Sequence, residues 1–138
     1  LTLLKPHFRF TIEINEAAHT MLGYAREELQ GHVRRYAVNR SLVLDRLPRL
    51  GMQTWAPADG AFYAYADIAH LTTDSLTWCQ EVLAGTGVAV TPGVDFAPHR
   101  PGTDSPLDGS RWFRISFAGS TADCDEAMTR LEDFVRAH

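Results

Sequence analysis

From Arg26 to Leu50 the apolar residues return at three- and four-residue steps: Leu29, Val33, Tyr36, Ala37, Val43, Leu44, Leu47 and Leu50. That period predicts one amphipathic helix of about six turns. Arg34, Arg35, Asn39, Arg40 and Asp45 fall on its polar face, Pro48 sits near its end, and Gly51 closes it. MQTWA and the aromatic-rich AFYAYADI follow, divided by a turn through Pro57, Asp59 and Gly60, which predicts an antiparallel pair of strands. Thr73 or Asp74 then caps a second helix, DSLTWCQEVLAG, with Leu76, Cys79, Val82 and Leu83 as its buried face and Gly85 and Gly87 as its stop. VAVTPG reads as a third strand, cut by Pro92 and Gly93, and RWFRISFAG as a fourth. Ser120 opens the last helix, with Asp123 as an acidic analogue of the capping box. Cys124, Ala127, Met128, Leu131, Phe134 and Val135 form its apolar stripe. The order α-β-β-α-β-β-α predicts an α+β fold: a small, mainly antiparallel four-stranded sheet with helices packed on one face.

Two stretches fall outside this pattern. In residues 1–25, Phe8, Phe10, Ile12 and Ile14 alternate with Arg9, Thr11 and Glu13 as in a half-buried strand, and Asn15 can cap a short helix ended by Gly23. Residues 94–110 hold three prolines, two glycines and three aspartates and read as a long loop. The expected organisation is therefore an unassigned segment over 1–25 and one domain over 26–138. The start at Leu1 rather than Met suggests a piece of a longer protein.

With 138 residues, 45% hydrophobic and 22% charged, the chain has the make-up of one globular domain. A net charge of -4 argues against nucleic acid as the main partner. The apolar runs are too short to span a membrane and the N-terminus does not read as a signal peptide, so the expected location is cytoplasmic. Cys79 and Cys124 form no CxxC pair and read as buried positions on helices. His7, His19, His32, His70, His99 and His138 are scattered without metal-ligand spacing, so no metal site is expected. Neither nucleotide-binding glycine motif is present, nor is the nucleophile elbow. Of thirteen basic residues only Lys5 is a lysine, so any amine chemistry must use Lys5 or lie outside this chain.

The fourth strand carries the most chemical information. Arg111, Phe113, Ile115 and Phe117 share one face and Trp112, Arg114 and Ser116 the other. An arginine held mid-strand is a rigid bidentate fork suited to a carboxylate or phosphate, or a side chain that simply faces solvent; the spacing leaves both open.

HVRRYAVNRSLVLDRL, PADGAFYAYADI, GVAVTPGVDF and FRISFAGSTADCDEAMTRL, in that order, resemble the C-terminal small domain of the fold type I, pyridoxal-phosphate-dependent aminotransferases, near the aspartate aminotransferase group. The likeness covers about residues 26–138. It implies that Arg114 grips the α-carboxylate of an amino-acid or 2-oxo-acid substrate and that Phe62 and Tyr63 lie near a domain interface or serve packing. It also implies that a large domain, in a homodimeric parent enzyme, carries the Schiff-base lysine. Lys5, in LLKPHF, does not match that lysine's S-x-S-K setting. The chain alone is therefore not expected to hold the cofactor covalently or to be a complete catalyst, and no catalytic residue is assigned to it. A second reading is a binding or sensor module, because INEAAHTMLGYAREELQG is similar to the opening of a PAS domain.

Overall fold

The structure is a computed structural model and describes residues 26–97 and 108–138. The strand and short helix expected before residue 25, Lys5, and the middle of the proline-rich loop lie outside the described residues.

Helix α1 (Arg26–Arg46) runs into a 3₁₀ turn, Leu47–Leu50, that has Pro48 in its first positions. Gly51 ends it at φ 75°, the left-handed conformation that glycine adopts without a Cβ penalty. Helix α2 (Ser75–Thr86) is capped by Asp74, whose carboxylate accepts from the Leu76 and Thr77 amides, and closed by Gly87 at φ 73°. Helix α3 (Thr121–Ala137) starts at Ser120, whose hydroxyl accepts from the Asp123 amide.

Between the helices lie β1 (Tyr63–Asp67), β2 (Thr91–Pro92) and β3 (Trp112–Ser116), an antiparallel sheet in the order β1-β3-β2. Tyr65 and Thr91 both stand opposite Arg114. Of the four expected strands three form: MQTWA, the first of them, is not a strand. Its chain meets β1 through one bridge, Thr54 to Ala66, and two hydrogen bonds, Trp55 N–H to the Tyr65 carbonyl and Asp67 N–H to the Gln53 carbonyl. Pairing stops there because the chain turns away through Pro57, which has no N–H to give. The same chemistry ends β2 at Pro92, which cannot donate to the ladder, and Gly93 starts a 3₁₀ turn (Gly93–Asp95), while Val88, Ala89 and Val90, expected in this strand, lie outside it.

Even positions of β1 and odd positions of β3 (Ala64, Ala66, Phe113, Ile115) point into one core. There they meet Val43 of α1, Leu47 of the following turn, Trp78, Cys79 and Val82 of α2, and Met128 and Leu131 of α3. The buried face of α2 differs from the expected one. Leu76 and Leu83 are 47% and 50% exposed, and Ser75 and Trp78 are buried instead. Trp78 has more apolar surface to bury than either leucine, and it packs edge-on against Phe113 at 5.2 Å. Asn39, assigned to the polar face of α1, is fully buried. Its Nδ2 donates to the carbonyls of Phe117 and Gly119, both at 3.0 Å, and its Oδ1 accepts from Thr121 Oγ1 at 2.7 Å.

The two ends of the proline-rich loop meet at Gly93 and Gly109. A Cβ on Gly93 would stand 2.4 Å from the Gly109 carbonyl oxygen, and one on Gly109 would stand 1.9 Å from that of Ala97. No side chain fits either place. Ser75 Oγ, itself buried, donates to the Gly109 carbonyl at 3.0 Å and ties this junction to α2.

Candidate functional site

The pleat that sends Phe113 and Ile115 into the core turns Trp112, Arg114 and Ser116 to the opposite face, and the register adds Tyr63, Tyr65 and Asp67 from β1. Thr91 joins them from β2. On this face Tyr65 stacks on Trp112 with ring centroids 5.3 Å apart and planes 9° from parallel, and Trp55 meets Trp112 edge-on at 5.2 Å. Large apolar side chains stay open to solvent here: Trp55, Phe62, Tyr63 and Phe96 are each 40% or more exposed.

Arg114 is half-buried in this aromatic setting. Its Nη2 donates to Thr91 Oγ1 at 3.4 Å, and its Cζ lies 4.6 Å from the Phe96 ring centroid and 5.2 Å from that of Tyr63. Among the described residues it makes no ion pair. The acids that would mark it as structural are Asp67 and Asp95, and neither pairs with it. Asp67 instead accepts from the Ala69 amide at 2.6 Å and faces Arg111 at 3.5 Å. A planar cation held in place, with no acidic partner among the described residues, has the fork geometry that suits a planar anion.

Phe62, paired with Tyr63 by the GAFY motif, is set by a backbone feature that the sequence did not announce. Ala61 has φ 62°, the one positive φ outside glycine among the described residues. Strain of this kind concentrates at functional sites. It turns the chain so that the Phe62 carbonyl accepts from the Phe117 amide at 2.8 Å and from Ser116 Oγ at 3.4 Å. The Phe62 ring lies 6.1 Å from both Tyr36 and Tyr63. Tyr65 closes the floor of the site. Burial pushes its phenol above the ordinary value, so it stays protonated and its hydroxyl donates to the Gly93 carbonyl at 3.4 Å.

Thr91 and Phe96 are the neighbours of Arg114 that the reading of the sequence did not single out. The signal for Thr91 was its alternation with Pro92 in the TPG turn. Phe96 had none, because it stands beyond the strand and reaches the site only through the turn that starts at Gly93.

Among the described residues, the remaining titratable groups offer no second centre of this kind. Burial, with a smaller contribution from the Asp95 charge, pushes the Cys79 thiol up to about 12, and burial also raises that of Cys124; both are protonated and buried. Among the described residues no three His, Cys, Asp or Glu side chains come together as a metal site, and no helix is long and apolar enough to cross a membrane. The described residues include no lysine, and the groups facing Arg114 are rings, hydroxyls and indoles. This donor set offers a cation and hydroxyls but no amine. It does not fit pyridoxal phosphate, which needs an amine to hold its aldehyde.

The family model for aminotransferase class I and II matches residues 1–131, and the chain belongs to that family. The match takes in the first 25 residues as well. Valine--pyruvate aminotransferase of Mycobacterium tuberculosis is 48% identical over 107 residues, covering 78% of this chain and 26% of the relative. Aspartate aminotransferase of Thermotoga maritima is 30% identical over 105 residues, covering 76% and 24%. The crystal structure of an aminotransferase from Mycobacterium tuberculosis superposes with a TM-score of 0.73 at 45% identity, over 83% of this chain and 27% of that one. The chain thus spans about a quarter of the length of these relatives.

Proposed function

We propose that residues 26–138 are the small domain of a pyridoxal-phosphate-dependent aminotransferase, and that Arg114 binds the α-carboxylate of its amino-acid and 2-oxo-acid substrates. The observation that carries this is the fork itself: a strand-held guanidinium with aromatic neighbours, one long hydrogen bond and no acidic partner among the described residues. The larger part of the parent enzyme supplies the lysine and the cofactor, and the exposed aromatic face of the sheet is where that part sits. The 48% identity to a valine–pyruvate aminotransferase supports an amino acid and a 2-oxo acid as the substrate pair. A soluble cytoplasmic homodimer completes the reading.

Arg114 contributes by orientation. Two parallel N–H···O bonds to a carboxylate fix the plane of the α-carbon, and a misplacement of about 1 Å at the reacting centre can cost roughly two orders of magnitude in rate. The test removes the acid from the substrate. In the intact parent enzyme, valine and its decarboxylated counterpart isobutylamine are compared as amino donors. The amine should show a kcat/KM lower by about two orders of magnitude, and Arg114→Lys should remove most of that difference. An amine used as well as valine, or a difference unchanged in Arg114→Lys, contradicts the assignment.

A further inference from the structure

Two aromatic rings lie against Arg114, and neither uses any of its donors. The guanidinium carbon is 4.6 Å from the Phe96 centroid and 5.2 Å from the Tyr63 centroid, both inside the range of about 6 Å over which a cation is held by a ring face. A guanidinium has five N–H donors in its own plane, and a ring carries no conventional acceptor to occupy them. Its one hydrogen bond to a described residue, to Thr91, is long at 3.4 Å. The rings, more than hydrogen bonds, fix how this fork stands.

Phe96 is not a core residue. The residue is 51% exposed, and it lies beyond the end of β2. Its place is nevertheless closely set. The Phe96 and Ala97 amides both donate to the Gly93 carbonyl at 2.9 Å, closing the turn that carries the ring back towards β3. Gly93 is pressed against Gly109 and the Tyr65 hydroxyl, Gly109 is tied to Ser75, and the Tyr65 ring meets Phe96 edge-on at 6.3 Å. A half-exposed phenylalanine with this much backbone fastening behind it is placed for what its face touches, and it touches Arg114.

We infer that Phe96 is a positioning residue: with Tyr63 it holds the Arg114 guanidinium in one plane, its donor edge free, and so sets the affinity for the substrate's carboxylate. The inference rests on Arg114 being the carboxylate anchor. The test uses the intact enzyme with Phe96→Leu, Phe96→Tyr, Tyr63→Leu and, as the control on the anchor itself, Arg114→Lys. Loss of one cation–π contact corresponds to about a three- to fivefold loss in affinity. Phe96→Leu should therefore raise KM for both the amino acid and the 2-oxo acid by about that factor, with kcat changed less than about twofold and the melting midpoint unmoved. Phe96→Tyr, which keeps a ring face, should restore KM, and Tyr63→Leu should act as Phe96→Leu does. If Phe96→Leu leaves KM at the wild-type value while Arg114→Lys raises it strongly, the positioning role is wrong and the anchor stands. If Arg114→Lys leaves KM unchanged, the anchor fails and the inference falls with it. A Phe96→Tyr variant as impaired as Phe96→Leu, or a Phe96→Leu loss in kcat and melting midpoint together, also overturns it.

Discussion

Asn39 lies on the side of α1 that polarity alone assigns to water, yet it is buried and its side-chain hydrogen bonds reach residues 117–121. Its amide group satisfies two carbonyls where the chain leaves β3, and its oxygen takes the Thr121 hydroxyl at the start of α3. Asn39→Ala leaves those groups without partners and should cost about 2–4 kcal/mol in urea unfolding of the chain. Asn39→Asp should cost at least as much, because a carboxylate would face two carbonyl oxygens with no donor to offer. An Asn39→Asp variant as stable as the wild type would show that this network does not hold the turn. The thiol of Cys79 carries a second expectation. Burial and the Asp95 charge push it up to about 12, whereas an unfolded cysteine titrates near about 8.5. The folded chain therefore keeps a proton that the unfolded chain releases in that window, so stability falls as pH rises through it and is untouched below it. The slope for one proton is about 1.4 kcal/mol per pH unit. Melting midpoints at pH 8 and pH 10.5 should fall less in Cys79→Ala than in the wild type; equal falls would mean that Cys79 does not carry the effect.

Among the elements, α1 and α3 are joined by Arg46 as well as by the Asn39–Thr121 hydrogen bond. Arg46 donates through Nε to Glu132 at 2.6 Å, through Nη1 to the Asp125 carboxylate at 2.7 Å, and through Nη2 to Thr129 at 3.0 Å. The Arg46 hydrogen bond, more than its charge, holds the Glu132 carboxyl below its ordinary value near 4.5. The stability this supplies is complete above that ordinary value and is lost as pH falls through the lowered one. Glu132→Gln should cost about 1–2 kcal/mol at pH 7 and flatten the acid side of the stability curve. An acid limb that keeps its slope in Glu132→Gln would place the effect elsewhere. The buried stripe of α3 was legible from spacing, and Met128 lies fully buried within it, so Met128→Asp should lower stability by several kcal/mol. The capping residues Asp74, Ser120, Gly51 and Gly87 were legible too, because each acts through its own backbone neighbourhood. What local pattern could not give was competition for the core. Leu76 and Leu83 have the right polarity and spacing, and Trp78 takes their place inside. Likewise MQTWA has the composition of a strand, and only the path of the chain at Pro57 limits it to one bridge.

At the scale of the whole molecule, the sheet has a finished side and an unfinished one. The side of Phe113 and Ile115 is closed by three helices; the side of Arg114 keeps Trp55, Phe62, Tyr63 and Phe96 partly in solvent. Strand alternation alone placed Arg114 on that second side, and the order of four short motifs identified the family. The aromatic neighbours of Arg114 were harder to read, because Phe96 and Tyr63 come together through pairing and a turn rather than through proximity in sequence. The central claim is that Arg114 serves a substrate rather than the fold, and Arg114→Lys tests it most directly, since it keeps the charge and loses the planar fork. Stability of the 138-residue chain should move by less than about 0.5 kcal/mol, as at a site outside the core. In the intact enzyme the same change should raise KM for the amino acid and lower kcat/KM by about two orders of magnitude. A chain that unfolds on Arg114→Lys, with an intact enzyme of unaltered kinetics, would contradict the account.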